Sequence, residues 1–343
     1  MAAELSSILV IVLIVMAISL AFSIGANDET LSALVGARVV KFKIALIIGG
    51  IAIGAGMISF SKGFVAKTVG ADILGEGITY TYFMLLTVLV SSIIWLVVGS
   101  FAGIPLSSTH SLIGSVFGVL IVYALFQGDV NPETALNWTK LGNVVLSWFL
   151  SPLFGFLVTF ILFKVIAKFY LSRLKGLNQI EKSERNFKWI LLLAVIFAEI
   201  WVGANSGEAL GILYGLFDKG SLNLTEYFFY AVICAIFAGI GIYVAARYVI
   251  KNLASQMIDT RPSEGIILQT SSAIILMIAT IFGLPISHSH VIVFCILGLS
   301  VAQKKEVDYK SLGKMGIFWI LTFPIAALLA GLIYSGFIYF GLP

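Results

Sequence analysis

Two proline-containing segments carry hydroxyl groups suited to binding an anion. The sequence reads Gly-Ile-Pro-Leu-Ser-Ser-Thr-His at 103–110 and Gly-Leu-Pro-Ile-Ser-His-Ser-His at 283–290. Because proline donates no backbone hydrogen bond and disfavours helix at the preceding residue, each segment should interrupt a helix. The hydroxyls that follow then stand where a new helix begins, and its free N–H groups and positive dipole end favour an anion. We predict that these residues bind an oxyanion: Ser107, Ser108, Thr109, Ser287, His288 and Ser289.

A second pair of segments places amide and carboxylate oxygens inside apolar runs. Gly25-Ala26-Asn27-Asp28 recurs as Gly203-Ala204-Asn205-Ser206, with Glu208 shortly after. Charges inside membrane segments are costly and are functional by default, and hard oxygen ligands suit a small cation. The glycines are expected to unwind the helix and free backbone carbonyls. We predict a cation site at Asp28, Asn27, Asn205, Ser206 and Glu208, with Asn27 and Asn205 also contacting the oxyanion. Glu29 and Glu199 stay open between a binding role and a structural one.

The histidines do not indicate a transition-metal site. Zinc needs three or four converging ligands, and His288 and His290 are two residues apart, so they do not share a helix face. No carboxylate has a spacing that would order a Ser-His pair for hydrolysis. We predict neither a transition-metal site nor an enzyme.

The composition determines which elements position these residues. Apolar residues make up 60% of the 343 residues and charged residues only 11%, whereas soluble proteins are about 25% charged. Lipid must therefore be the solvent, and the net charge of +4 is too small to indicate nucleic acid as a partner. Because only helices satisfy their own backbone groups in lipid, we predict an all-α integral membrane protein of about 10–12 transmembrane helices, re-entrant hairpins included.

The repeated motifs indicate two inverted-topology repeats. The two motif pairs recur in the same order at offsets of 178 and 180 residues, and each half has five apolar segments. With the N-terminus outside, 17 of the 21 Lys and Arg residues fall in inside loops, as the positive-inside rule requires. We predict repeats at 1–166 and 188–343, a cytoplasmic linker at 167–187, extracellular termini, and two proline segments that meet near the midplane. The expected location is the plasma membrane.

At this point the motifs resemble those of the inorganic phosphate transporter (PiT) family. That family is described by a duplicated GANDVANA-like signature and a duplicated G-[LI]-P-[VI]-S-[ST]-T-H motif, which Asn27, Asp28 and Asn205 and the two proline segments match. The resemblance implies a cation-coupled symporter of inorganic phosphate, with Na⁺ favoured over H⁺ and alternating access to a central site. It implies no cofactor besides the coupling ion. The partners implied are phosphate, Na⁺ and the bilayer, with a homodimer left open.

The departures from the family pattern keep alternatives open. Glu29-Thr30-Leu31-Ser32 replaces V-A-N-A, Ser206 replaces an aspartate, and His288 replaces a Ser or Thr. The lost aspartate leaves the ion stoichiometry open, although Glu208 could compensate. His288 beside an anion could indicate sulfate or another oxyanion. A cation exchanger and an intramembrane hydrolase are weaker alternatives.

Overall fold

The computed structural model describes residues 2–101, 106–126, 131–247, 250, 261–307 and 309–342. These residues form helices and loops, with no strand apart from one isolated bridge between Leu74 and Leu136. The all-α prediction is confirmed for this part of the chain. Its α-helices are α1 Ala2–Ala26, α2 Ser32–Gly36, α3 Phe42–Ser59, α4 Phe64–Lys67, α5 Tyr82–Phe101, α6 Ser108–Phe126, α7 Pro132–Ala135, α8 Trp138–Phe169, α9 Leu177–Asn205, α10 Gly207–Asp218, α11 Leu224–Gly241, α12 Pro262–Ile281, α13 His288–Gln303 and α14 Tyr309–Tyr339.

Many of these helices have the length and apolar composition of membrane spans. Among the described residues eight stretches qualify: Ser6–Ala26, Phe42–Ser59, Ser108–Phe126, Trp138–Arg173, Leu177–Asp218, Leu224–Ala246, Pro262–Ile281 and Leu312–Tyr339. Two shorter apolar stretches, Tyr82–Leu96 and His288–Gln303, accompany them. The chain is therefore a multi-pass membrane protein.

The Gly-Ala-Asn motifs stand at helix ends. Helix α1 ends at Ala26 and α9 ends at Asn205, immediately before α10. The glycines themselves remain helical, which corrects the expectation that they unwind the chain. A Cβ at Gly25 would overlap the Ala238 carbonyl of α11, and a Cβ at Gly203 would overlap a carbonyl of α3. These glycines therefore let helix backbones approach closely, as small residues do in membrane bundles.

Several of the main helix contacts join the two halves of the chain, whereas α12 packs on α9 within the second half. Helix α1 packs on α11, and α3 packs on α9. In the same way α6 packs on α14, and α8 packs on α13. Each of these four pairs joins a helix that lies mainly in residues 1–166 to one that lies mainly in residues 188–343, so the two halves pack extensively on each other.

The polar segment 167–187 is largely helical. Helix α8 runs to Phe169, a 3-10 turn covers Leu171–Arg173, and α9 begins at Leu177. Lys, Glu, Gln and Arg are good helix formers, and no proline interrupts them here, so the helix extends toward its polar end. Glu184 accepts hydrogen bonds from the backbone N–H of Ser263 at 3.0 Å and from its hydroxyl at 2.7 Å. This extension is thereby docked on the start of α12.

Candidate functional site

One cavity of about 240 Å³ lies where the interrupted helices meet. Its volume is several times the ~30 Å³ share of one water in the liquid, which leaves room for an oxyanion together with ions or water. Every residue predicted from the sequence to bind a ligand lines this cavity: Asn27, Asp28, Ser107, Ser108, Thr109, Asn205, Ser206, Glu208, Ser287, His288 and Ser289. Asn27 is exposed, as is Ser23 one turn before it, so the cavity opens along α1.

Two helices begin at the cavity wall with equivalent caps. The Ser107 hydroxyl accepts a hydrogen bond from the His110 backbone N–H at 3.3 Å at the start of α6. The Ser287 hydroxyl accepts one from the His290 backbone N–H at 3.4 Å at the start of α13. Residues 102–105, which include Pro105, lie outside the described residues. Both helix N-termini thus direct a positive dipole end and free backbone N–H groups toward one space.

A carboxylate holds two of the predicted anion-binding hydroxyls. Glu208, in the first turn of α10, accepts hydrogen bonds at Oε1 from Thr109 Oγ1 at 2.6 Å and from Ser108 Oγ at 3.1 Å. Its Oε2 is buried without a hydrogen-bond partner. The carboxylate thus occupies donors that an entering oxyanion would need. In the structure, Glu208 therefore occupies two of the hydroxyls that the sequence predicts to bind an anion.

Asp28 follows the end of α1 and is buried, with 4% of its surface exposed. Its Oδ1 accepts hydrogen bonds from the Thr30 hydroxyl at 2.8 Å and from the Thr30 backbone N–H at 3.3 Å. Its Oδ2 is buried and has no hydrogen-bond partner. One carboxylate oxygen is therefore fixed in place while the other keeps its full capacity for a ligand.

Asn205 is bonded on three sides to the chain before α13. Its Nδ2 donates to Thr280 Oγ1 at 2.9 Å and to the Leu284 carbonyl at 3.1 Å. Its Oδ1 accepts from the Ile286 backbone N–H at 3.0 Å. The counterpart Asn27 differs, because its Nδ2 donates to the Ser23 carbonyl within α1 at 3.0 Å. Asn205 thereby positions the segment that delivers Ser287 to the cavity.

Glu29 also lines the cavity, although the sequence left its role open. Its Oε1 lies 3.5 Å from His288 Nδ1, so two departures from the family pattern face each other. One donor atom each from Asp28, Glu29 and His288 lie within 4.8 Å of one another, a grouping that could hold a metal ion. Sequence spacing could not reveal this grouping, since the histidine comes from the other half of the chain.

Among the described residues, the cavity wall carries more acidic than basic side chains. Asp28, Glu29 and Glu208 contribute carboxyl groups, and His288 is the basic residue among the described residues of the wall, which include neither Lys nor Arg. A bound oxyanion would add further negative charge. Unpaired charge is strongly unfavourable away from water, so an anion held here together with ionised carboxylates would need compensating cations.

The other two histidines form a buried pair beside the site. The His110 and His290 rings lie 4.7 Å apart, centroid to centroid. His110 packs on Trp148 at 4.0 Å and His290 on Trp319 at 3.9 Å. The Trp148 indole donates to the Pro285 carbonyl at 2.9 Å. This aromatic cluster joins the starts of α6 and α13 by packing.

Sequence reasoning missed two residues that support the site. Thr30 fixes Asp28, and the Asp-x-Thr spacing is a local signal for such a turn. Thr280 accepts the amide of Asn205 but lies 75 residues away, so no local pattern could have indicated it.

Comparison with known proteins gives consistent matches along most of the chain. A family model described as "Phosphate transporter family" matches residues 24–330. A Bacillus subtilis (strain 168) protein named "Probable low-affinity inorganic phosphate transporter" is 26% identical over 338 residues, which is 95% of this chain and 96% of that protein. A Rhizobium meliloti (strain 1021) protein of the same name is 26% identical over 275 residues, which is 79% of this chain and 78% of that protein.

A solved structure has the same fold. It is titled "The sodium-dependent phosphate transporter" and superposes with a TM-score of 0.83 at 21% sequence identity. The match covers 96% of this chain and 99% of the other. At this identity the likeness establishes the fold.

Proposed function

Because the chain belongs to the phosphate transporter family, we propose that it carries inorganic phosphate across the plasma membrane by cation-coupled symport, with Na⁺ as the coupling ion. The observation that carries the proposal is the composition of the cavity. Hydroxyl groups and two helix N-termini face carboxylates there, and neither Lys nor Arg is among the described wall residues.

The charges of the cavity explain why phosphate and cations would bind together. Two unit charges about 6 Å apart repel by about 3 kcal/mol at an effective dielectric constant of 20. Phosphate would therefore meet repulsion of about this size from each carboxyl group of the wall that is ionised. Bound Na⁺ cancels this repulsion, so each ligand raises the affinity for the other. Phosphate binding is thereby coupled to Na⁺ binding, since phosphate alone binds poorly in this cavity.

The wall residues divide into two sets by their chemistry. Phosphate is held by the hydroxyls and N–H groups of Ser107, Ser108, Thr109, Ser287 and Ser289, with His288, Asn27 and Asn205 around it. Na⁺ is held by Asp28, Asn27, Asn205, Ser206 and Glu208. Asn205 acts mainly by positioning, because its amide is bonded to the segment before α13.

Glu208 links the two ligands. It accepts from Ser108 and Thr109 in the structure. When phosphate takes over these hydroxyls, the Glu208 carboxylate becomes available to Na⁺. Its unpartnered Oε2 is the atom that a cation would first contact.

The halves 1–166 and 188–343 are proposed to be inverted repeats that alternate access to the cavity. The cross-half packing of α1 on α11 and of α3 on α9 supports this, as do the equivalent serine caps of α6 and α13. The termini are proposed to be extracellular, from the distribution of Lys and Arg.

The test is uptake of radiolabelled phosphate into proteoliposomes with Na⁺ and H⁺ gradients imposed separately. We expect a Na⁺ gradient to drive accumulation and a H⁺ gradient alone to be ineffective. Excess unlabelled sulfate should leave uptake unchanged. Inhibition by sulfate would assign a broader oxyanion specificity, and uptake driven equally well without Na⁺ would refute sodium coupling.

A further inference from the structure

An apolar groove of about 560 Å³ runs along α3 and α11. Both helices belong to stretches with the length and composition of membrane spans. The floor of the groove consists of small residues at which the two backbones approach each other. A Cβ at Gly50 would lie 3.0 Å from the Gly239 carbonyl oxygen, and one at Gly54 would lie 3.2 Å from the Ala235 carbonyl oxygen. Close helix packing therefore fixes the shape of this groove.

The walls of the groove are branched apolar side chains that project from the bundle. On α3, Ile51 is 69% exposed, and on α11, Ile236 is 56% exposed. Apart from the Tyr243 hydroxyl, the described residues that line the groove contribute no polar side-chain atom. Because the hydrocarbon of a bilayer contains no water, a lipid acyl chain or an apolar helix must fill this groove.

The length of the groove matches an acyl chain of one leaflet. Its lining on α3 runs from Leu46 to Ile58, which is about 18 Å at about 1.5 Å per helical residue. The hydrocarbon of one leaflet is about 15 Å thick, half of the roughly 30 Å of the whole core. One chain can therefore lie along the groove for its full depth in the leaflet.

Basic residues continue the groove at one of its ends. Lys43 precedes the lining residue Ile47 by one turn of α3, and Arg247 follows the lining residue Tyr243 by about one turn. Residues four apart share a helix face. The two basic residues belong to the same end, because α3 packs on the π-helical segment Ile242–Ala246 that continues α11.

The same end of the groove is suited to an anion. Lys41 and Lys43 are both exposed, and neither 30–71 nor 227–258 contains an Asp or Glu residue. Helix α3 begins at this point, and the side chain of its N-cap residue Lys41 makes no capping hydrogen bond. The positive dipole end and free N–H groups of the helix therefore add to the charge of the lysines.

We propose that this groove binds an anionic phospholipid, with one acyl chain between α3 and α11 and the headgroup phosphate at Lys41 and Lys43. A second copy of the chain is disfavoured as the occupant. A two-fold axis along the membrane normal would bring the same basic end of both copies together, and like charges repel.

The lipid would stabilise helices that support the central cavity. Helix α11 packs on α1, and α3 packs on α9, so the two helices of the groove hold the two that end in the Gly-Ala-Asn motifs. This site is separate from the cavity, and it depends on neither the transported anion nor the coupling ion.

The first experiment follows thermal unfolding of the purified protein in neutral detergent against added phosphatidylglycerol, with phosphatidylcholine as the neutral lipid. We expect phosphatidylglycerol to stabilise the protein at lower concentration. Replacing Lys41 and Lys43 together by Gln should raise its half-maximal concentration about 25-fold, about five-fold for each lysine near an anionic headgroup. The matched control replaces Lys175 and Lys182 by Gln. Both are exposed and lie outside the groove lining, so the concentration should stay unchanged.

The second experiment locates the lipid on the wild-type protein, so it decides the question even if a variant does not fold. Phosphatidylglycerol with a photoreactive group in its acyl chain is crosslinked to the protein, and the sites are mapped by mass spectrometry. Label should concentrate on α3 and α11. Ala55→Trp, at an exposed position of the lining, should remove that label alone.

Three results would overturn the proposal. Phosphatidylcholine could stabilise the protein at the same concentration as phosphatidylglycerol, which would show that the headgroup charge is not recognised. The label could spread evenly over exposed helices such as α8 and α14, as a non-specific lipid shell would. The wild type could be a dimer that Ala55→Trp converts to monomers, which would assign the groove to a second copy.

Discussion

Replacing Asn205 with alanine is expected to release the start of α13 from the end of α9. The asparagine side chain is 3% exposed and makes three hydrogen bonds to the chain before α13. Thr280 keeps a partner after the substitution, because its hydroxyl donates to the Leu276 carbonyl at 2.7 Å. The Leu284 carbonyl and the Ile286 backbone N–H lose theirs.

The size of the effect follows from these two backbone groups. A buried polar group that loses its partner costs about 1–3 kcal/mol, so the two together cost about 2–6 kcal/mol. Water that enters from the adjacent cavity can hydrogen-bond to these two groups in place of Asn205. We therefore expect a free-energy cost in the lower half of this range. The released segment carries Ser287, so phosphate affinity should fall together with stability.

The assay combines thermal unfolding with phosphate uptake, and Asn27→Ala is the matched control. Asn27 is the counterpart in the first half, is exposed, and donates to a carbonyl of its own helix. Its loss should change stability by less than about 1 kcal/mol, even where it weakens uptake. If Asn205→Ala retains wild-type stability and only weakens phosphate binding, as a simple ligand would, the positioning role is refuted.

Three further outcomes are expected. Thr109→Val should raise the KM for phosphate about 10- to 100-fold, because a hydrogen bond to a charged group contributes about 1.5–3 kcal/mol. Ser108→Ala should raise this KM by less, and an unchanged KM in both variants would show that these hydroxyls do not bind phosphate. Asp28→Asn should abolish the Na⁺ dependence of uptake in a folded protein, and a wild-type response to Na⁺ concentration would count against Asp28 as a ligand. Gly203→Ala should destabilise the protein by about 1–3 kcal/mol through overpacking, as measured by thermal unfolding. Gly142→Ala is the control, because no atom lies within 4 Å of its added Cβ. Equal stability of the two variants would contradict the close helix approach at Gly203.

Residues 27–30 show why the sequence could not tell which of the acids Asp28 and Glu29 reaches the cavity. On a continuous helix, Asp28 and Glu29 would point about 100° apart. Helix α1 ends at Ala26 instead, and both carboxylates reach the same cavity. The pairing of Glu29 with His288 follows from that turn and from the position of α13, neither of which a local pattern contains.

The sequence by itself determined the solvent, the helical architecture and most of the polar residues of the cavity wall. The low fraction of charged residues requires lipid, and lipid requires helices, because no water is present there to bond a free backbone. Proline, serine and asparagine interrupt or cap helices through local chemistry, so their duplicated spacing marked both ends of the site.

The tertiary structure alone decided which of these groups face one another. Glu208 accepts hydrogen bonds from Ser108 and Thr109 across the halves, Asn205 holds the segment before α13, and His288 meets Glu29 at the cavity wall. These pairings depend on how helices far apart in sequence cross. The crossings depend on close packing, such as that of Gly203 on α3. Which helices pack together depends on the whole bundle, and the periodicity of a single segment does not reveal it.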